Sequence, residues 1–197
     1  MLSAIGCRKT MATRMAAKSS VAFMTLLSAA SQLLPAAIRT ARKRPARTFG
    51  AASAFGMPAE SLIDTGAILA LLDRSDRWHG ACVRAFAQLR LPLFTSEAVL
   101  TELFHLVGDA RVQMEAAWKF VRSGALILGS VEHAELPHIH ALMSRYSDRP
   151  MDFADATLVY LARRESLSTI FTVDHADFAT YRIEGKRQFR VLPVTRP

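Results

Sequence analysis

Cysteine is almost missing from this chain of 197 residues, which has only Cys7 and Cys82. Two thiols are too few for a disulfide scaffold, and no Cys/His spacing fits a zinc site. His138 and His140 stand two residues apart, so on a helix they diverge rather than share a ligand. The default compartment is therefore reducing, and the expected location is cytoplasmic. A membrane-spanning run is missing too. The one long uncharged stretch, Ser19 to Ile38, is interrupted by Thr25, Ser28, Ser31, Gln32 and Pro35. Most telling is the absence of acid at one end: the first carboxylate is Glu60.

That gap changes the meaning of the charge. The chain has 25 Lys+Arg against 17 Asp+Glu, a net of +8. Such a balance ordinarily suggests a broad electrostatic grip on nucleic acid. Nine of the basic residues lie within 1–57, however, and subtracting 9 from 25 leaves 16 against all 17 acids. Residues 58–197 are thus near neutral, at −1, and large enough for one domain with a sizeable core. Residues 1–57 read as a separate basic, acid-free extension, expected to be disordered or leader-like. The preferred reading makes Met57 the true start; an organellar transit segment and an export signal are the alternatives.

Within 58–197, apolar runs alternate with helical patterns. Ser61–Ile63 is strand-like and ends at Asp64, followed by a helical turn or two over Thr65–Leu72. Trp78, Cys82, Ala85 and Leu89 give Asp76–Leu89 an amphipathic helical face. Leu91–Thr95 is strand-like, and Ser96 is placed to cap a helix reaching about Val107. A helix over Arg111–Arg122 stops at Gly124, and Ala125–Leu128 reads as a buried strand. Glu132–Tyr146 is mainly helical with a restart at Pro137, and Asp152–Glu165 is a well-patterned helix. Thr169–Val173 and Phe189–Leu192 are the last strands. This alternation predicts an α/β fold with a mostly parallel central sheet.

In open parallel sheets, ligands gather at the carboxyl ends of the strands. Asp64 and Asp174 each follow a strand there, Asp155 lies in the first turn of the helix from Asp152, and Glu102 sits mid-helix beside Val99 and Leu103. Singly, each has an ordinary structural use as a cap, a turn residue or a solvated acid. Asp152 reads as a helix cap, and Asp73, Asp76 and His79 as capping or surface groups. Together, four acids on one rim are costly. Two carboxylates ~4 Å apart repel by roughly 4 kcal/mol at an effective dielectric of ~20. A hard divalent cation relieves that, and oxygen-only donors favour Mg²⁺ or Mn²⁺ over zinc.

Ile63-Asp64-Thr65-Gly66, Glu102 within Val99-Leu-Thr-Glu-Leu, Asp155 within Met151-Asp-Phe-Ala-Asp-Ala-Thr, and Thr172-Val-Asp174 with Asp177-Phe178 resemble the PIN-domain nucleases. The pattern is most similar to the VapC-type toxin ribonucleases of toxin–antitoxin pairs, from Ser61 to about Pro193. The resemblance implies a three-layer α/β/α sandwich whose Asp64, Glu102, Asp155 and Asp174 bind Mg²⁺ or Mn²⁺ and carry out RNA hydrolysis. Asp177 takes a peripheral or water-mediated place, because His175 and Ala176 separate it from Asp174 where many relatives are tighter. Thr172 is expected either to bond a ligand carboxylate or phosphate, or to serve as an ordinary strand residue. RNA as substrate, a small antitoxin and a homodimer are implied as partners, and no membrane. Arg111, Arg145, Arg149, Arg163, Arg164 and Arg182 are candidate RNA contacts. Two alternatives stay open: a PIN nuclease of RNA processing with no toxin role, and a PIN-fold binding module that does not cleave.

Overall fold

A computed structural model of the chain describes residues 59–149 and 151–194. The basic extension expected over 1–57 lies outside the described residues. Five parallel strands form the sheet: β1 (Ser61–Ile63), β2 (Leu93–Ser96), β3 (Leu126–Gly129), β4 (Thr169–Phe171) and β7 (Arg190–Leu192), in the order β3-β2-β1-β4-β7. From β1 the chain first steps outward to β2 and β3, then returns to β4 on the other side. Right-handed crossovers send the connections of these two wings to opposite faces of the sheet. The order reverses between β1 and β4, which pair in register as Leu62 with Ile170 and Ile63 with Phe171. That reversal is the place where such sheets leave a crevice beyond the strand ends.

Seven helices flank the sheet among the described residues: α1 (Thr65–Leu72), α2 (His79–Phe86), α3 (Glu97–Val107), α4 (Arg111–Val121), α5 (Leu136–Arg145), α6 (Phe153–Arg164) and α7 (His175–Thr180). The core is built from the buried strand residues Leu62, Ile63, Leu93, Ile170 and Phe171 with Ile68, Leu103, Leu158 and Leu161 of the helices. Helix α6 is enclosed on most of its surface, including Ala154, Ala156, Thr157 and Ala162. Small side chains there let neighbouring elements approach its backbone closely. Local chemistry sets the helix starts. Ser96 Oγ accepts the Val99 N–H at 3.2 Å and Asp152 Oδ1 accepts the Asp155 N–H at 2.8 Å, each satisfying an orphan donor of a first turn. Among the described residues no helix is long and apolar enough to cross a membrane.

Several local expectations needed tertiary correction. The strand expected to be buried at Ala125–Leu128 is the sheet's edge strand, with only β2 beside it, and Leu128 is 43% exposed. The helix expected from Asp76 starts at His79, because Asp76 Oδ1 accepts the Trp78 N–H at 2.7 Å and folds the preceding segment into a turn. Asp73 likewise accepts from Ser75, and His79 Nδ1 lies 2.8 Å from the Ala70 carbonyl, so these groups cap and pack. Helix α7 and an antiparallel hairpin, β5 (Arg182–Glu184) with β6 (Arg187–Gln188), were not foreseen. The hairpin turns through Gly185 at φ 53°, a conformation that glycine adopts without a Cβ penalty. Pro137 stands at the start of α5, after a short 3₁₀ turn at His133–Glu135, as its missing N–H favours.

Candidate active site

Asp64 leaves β1 at the reversal point and serves as the N-cap of α1. Its backbone N–H continues the sheet to the Phe171 carbonyl at 3.0 Å. Its side chain is only 6% exposed and is held from two directions: Oδ1 accepts the Thr65 N–H at 2.7 Å, and Oδ2 accepts the Thr172 hydroxyl at 2.8 Å. The helix N-terminus adds favourable partial positive charge to a buried carboxylate. Gly66 follows for a steric reason. A Cβ at that position would meet Val173 Cγ2 at 2.6 Å, so any side chain there would force the start of α1 or the segment after β4 to shift.

Thr172 and Thr65 tie the other acids to Asp64. Thr172 Oγ1, while donating to Asp64, accepts the Asp174 N–H at 3.0 Å. Thr65 Oγ1 lies 2.8 Å from Glu102 Oε2 and 3.2 Å from the Val99 carbonyl. Glu102 therefore faces α1 and the rim instead of open solvent. Ser96, at the end of β2, has its Oγ 2.8 Å from Thr157 Oγ1 of α6, which fixes α6 against the same rim.

Asp155 is 3% exposed in the first turn of α6, where the Asp152 cap orients its backbone. Tyr181, fully buried after α7, donates its hydroxyl to Asp155 Oδ2 at 3.3 Å. Burial first, and then the negative charges of Asp155, Asp177 and Asp152, push the Tyr181 phenol above its ordinary range, so it remains a protonated donor. Tyr146 and Phe178 hold the ring edge-on, at centroid separations of 5.1 and 5.3 Å. Asp174 caps α7, its Oδ1 accepting the Asp177 N–H at 3.2 Å. Asp177, in the first turn of α7, has its Oδ1 3.7 Å from an Arg149 nitrogen.

The structure thus brings Glu102, Asp64 and Asp174 into one hydrogen-bonded row through Thr65 and Thr172, with Asp155 on the adjoining helix. The Thr65 hydroxyl serves the Glu102 carboxylate and the Thr172 hydroxyl that of Asp64, while Asp174 joins the row through its backbone N–H. Among the described residues no three His, Cys, Asp or Glu side chains stand together as a cation cage. The donor set still suits a hard cation: oxygen ligands only, two of them on carboxylates almost wholly withdrawn from water.

The PIN-domain sequence pattern matches residues 61–184. The chain belongs to the PIN-domain family. Ribonuclease VapC26 of Mycobacterium tuberculosis is 33% identical to it over 135 residues, which cover 67% of this chain and 99% of that protein. The chain is therefore a homologue of the VapC-type PIN ribonucleases. The crystal structure of Mycobacterium tuberculosis VapC20, described as a Sarcin-Ricin loop cleaving toxin, superposes with a TM-score of 0.56 at 22% identity. That match covers 65% of this chain and 98% of the other, and it shows the shared PIN fold.

Two members of this PIN rim escaped sequence reasoning. Tyr181 carries no local signal, since its partner lies 26 positions away on another helix. Thr65 reads as an ordinary helix start; only the packing of α1 on α3 gives its hydroxyl to Glu102. Thr172, for which two uses were open, bonds a carboxylate.

Proposed function

We propose that this PIN-domain protein is a divalent-cation-dependent endoribonuclease and the toxin of a toxin–antitoxin pair. The observation that carries the reading is the placement of Asp64 between the Thr65 N–H and the Thr172 hydroxyl, at the reversal of strand order. The 33% identity to a ribonuclease supports the choice of substrate. On this reading Asp64, Glu102, Asp155 and Asp174 hold Mg²⁺ or Mn²⁺, and Asp177 serves at the periphery. When bound, the cation supplies a water of lowered pKa and offsets charge developing on the phosphate oxygens.

The residues of the chain then have separable tasks. Thr172 and the Thr65 N–H fix both oxygens of Asp64, so the carboxylate cannot rotate away from the crevice. On this reading Tyr181 orients Asp155, and the Asp155 carboxylate aligns the attacking water. Thr65 holds Glu102 toward the rim. The partners on this reading are an RNA strand in the crevice, a small antitoxin covering the acidic rim, and a second copy of the chain in a homodimer, acting in the cytoplasm.

The test uses the full chain, wild type against Asp64→Asn and Asp155→Asn, with a labelled RNA pool and millimolar Mg²⁺ or Mn²⁺. Wild type is expected to cut internally and to arrest growth when induced. Each substitution is expected to slow cleavage by about 100-fold or more. Full cleavage by both variants, or no stabilisation of wild type by millimolar Mn²⁺ in a thermal-shift titration, would overturn the reading.

A further inference from the structure

With a near-neutral domain, an RNA strand needs cations at chosen places, and the structure separates the six candidate arginines by location. Arg182 turns its Nη1 to the carbonyls of Ala179, Thr180 and Tyr181, closing the end of α7. Arg164 is held by Glu135, Glu165 and the Ser130 carbonyl. Arg163 pairs with Glu184 at 3.5 Å. Both lie at the carboxyl end of α6, whereas Asp155 is in its first turn. At 1.5 Å per residue, eight residues of helix put that end roughly 12 Å along the axis from Asp155. Arg111 starts α4 and Arg145 ends α5, and neither is tied to a rim acid.

Arg149 differs. It precedes α6 and lies against α7, with Nη1 donating to the Ala176 carbonyl at 3.1 Å and to Thr180 Oγ1 at 2.7 Å. The same nitrogen is 3.7 Å from Asp177 Oδ1, while half of the side chain (50%) is exposed. One guanidinium nitrogen is thus an anchor beside Asp177, while half of the side chain is left in solvent. A fork held in this way loses little freedom on meeting a phosphate, and its planar donors match phosphate oxygens.

Resting on the ribonuclease reading, we propose that Arg149 is a substrate-positioning residue that contacts a backbone phosphate of the RNA adjoining the cleaved bond. It neutralises a charge that the surrounding carboxylates would otherwise repel, and it draws the strand toward Asp174 and Asp155. This contact acts on any sequence alike, since a phosphate bears no base identity.

The test measures binding of a fluorescein-labelled single-stranded RNA by anisotropy between 50 and 200 mM KCl. The protein is full-length Asp64→Asn, which keeps the RNA intact, with and without Arg149→Gln, Arg149→Lys or Arg163→Gln. Arg149→Gln is expected to weaken binding about 3- to 10-fold and to reduce the slope of log K against log[salt] by about 0.7. Arg149→Lys should keep the slope while losing part of the affinity, and Arg163→Gln should match the parent. In the cleaving protein, Arg149→Gln should lower kcat/KM chiefly through KM. A lower melting temperature with an unchanged salt slope would mean that Arg149 only pins α7, and would overturn the proposal, as would equal losses from Arg149→Gln and Arg163→Gln. If the wild type neither binds nor cuts RNA, the ribonuclease reading itself fails. A cutting wild type whose Arg149→Gln variant is indistinguishable from it removes only Arg149.

Discussion

The Thr172 hydroxyl donates to Asp64 across 108 positions of sequence, at 2.8 Å and wholly inside the protein. The same oxygen accepts the Asp174 N–H, so one side chain ties the Asp64 carboxylate to the main chain of Asp174. Thr172→Val keeps the shape and removes both interactions. It is expected to lower stability by about 1–3 kcal/mol, because buried polar partners are left unmatched. RNA cleavage should fall about 10- to 100-fold, and Thr172→Ser should restore most of it. Urea denaturation and single-turnover cleavage check the two effects separately.

Tyr181→Phe removes one oxygen from an otherwise unchanged ring packing against Tyr146 and Phe178. Asp155 then loses the donor at its Oδ2. Cleavage is expected to drop about 10-fold, with more Mn²⁺ needed for half-maximal rate. The melting temperature without metal should change by only a few degrees, which corresponds to about 1 kcal/mol. A rate that follows added Mn²⁺ as in wild type would show that the hydroxyl serves packing alone.

Gly66→Ala tests the close approach of α1 to β4. The new methyl would fall 2.6 Å from Val173 Cγ2, in the segment after β4, and Val173 is itself packed against the core. Overpacking of this kind costs about 1–3 kcal/mol. The companion change Val173→Ala opens that space, so the double variant should recover part of the lost stability in a urea titration.

Glu135 tests a second network, remote from the rim. The Tyr160 hydroxyl donates to it at 2.6 Å, and the Glu132 N–H and Arg164 add to the same carboxylate. The Tyr160 bond first, then the Glu132 N–H, hold its pKa below the usual glutamate value. A depressed acid contributes stability above its unfolded pKa of about 4.3, and that contribution disappears as pH falls through the folded value. Glu135→Gln should therefore be less stable than wild type at pH 7 by about 1 kcal/mol, and the gap should close below pH 4. Urea midpoints at the two pH values measure it.

What the sequence determined by itself is the set of features fixed by neighbours along the chain. A short apolar run ending in acid, then a helical pattern, places Asp64 at a strand end, and the apolar run Thr169–Val173 puts Asp174 on the same edge, because a parallel sheet has all its carboxyl ends there; the strand itself closes earlier, at Phe171. Ser96 and Asp152 cap their helices with groups three residues away, so local composition was enough. The family motifs, too, are short and local.

Only the tertiary structure decided which acid meets which hydroxyl. The Thr65–Glu102, Thr172–Asp64 and Tyr181–Asp155 bonds all join elements whose contact depends on the order β3-β2-β1-β4-β7. Hydrophobic periodicity records which face of an element is buried, yet not which partner buries it. For the same reason the run at Ala125–Leu128 looked internal: its apolar content is that of a core strand, and only its place at the sheet's edge leaves Leu128 in water.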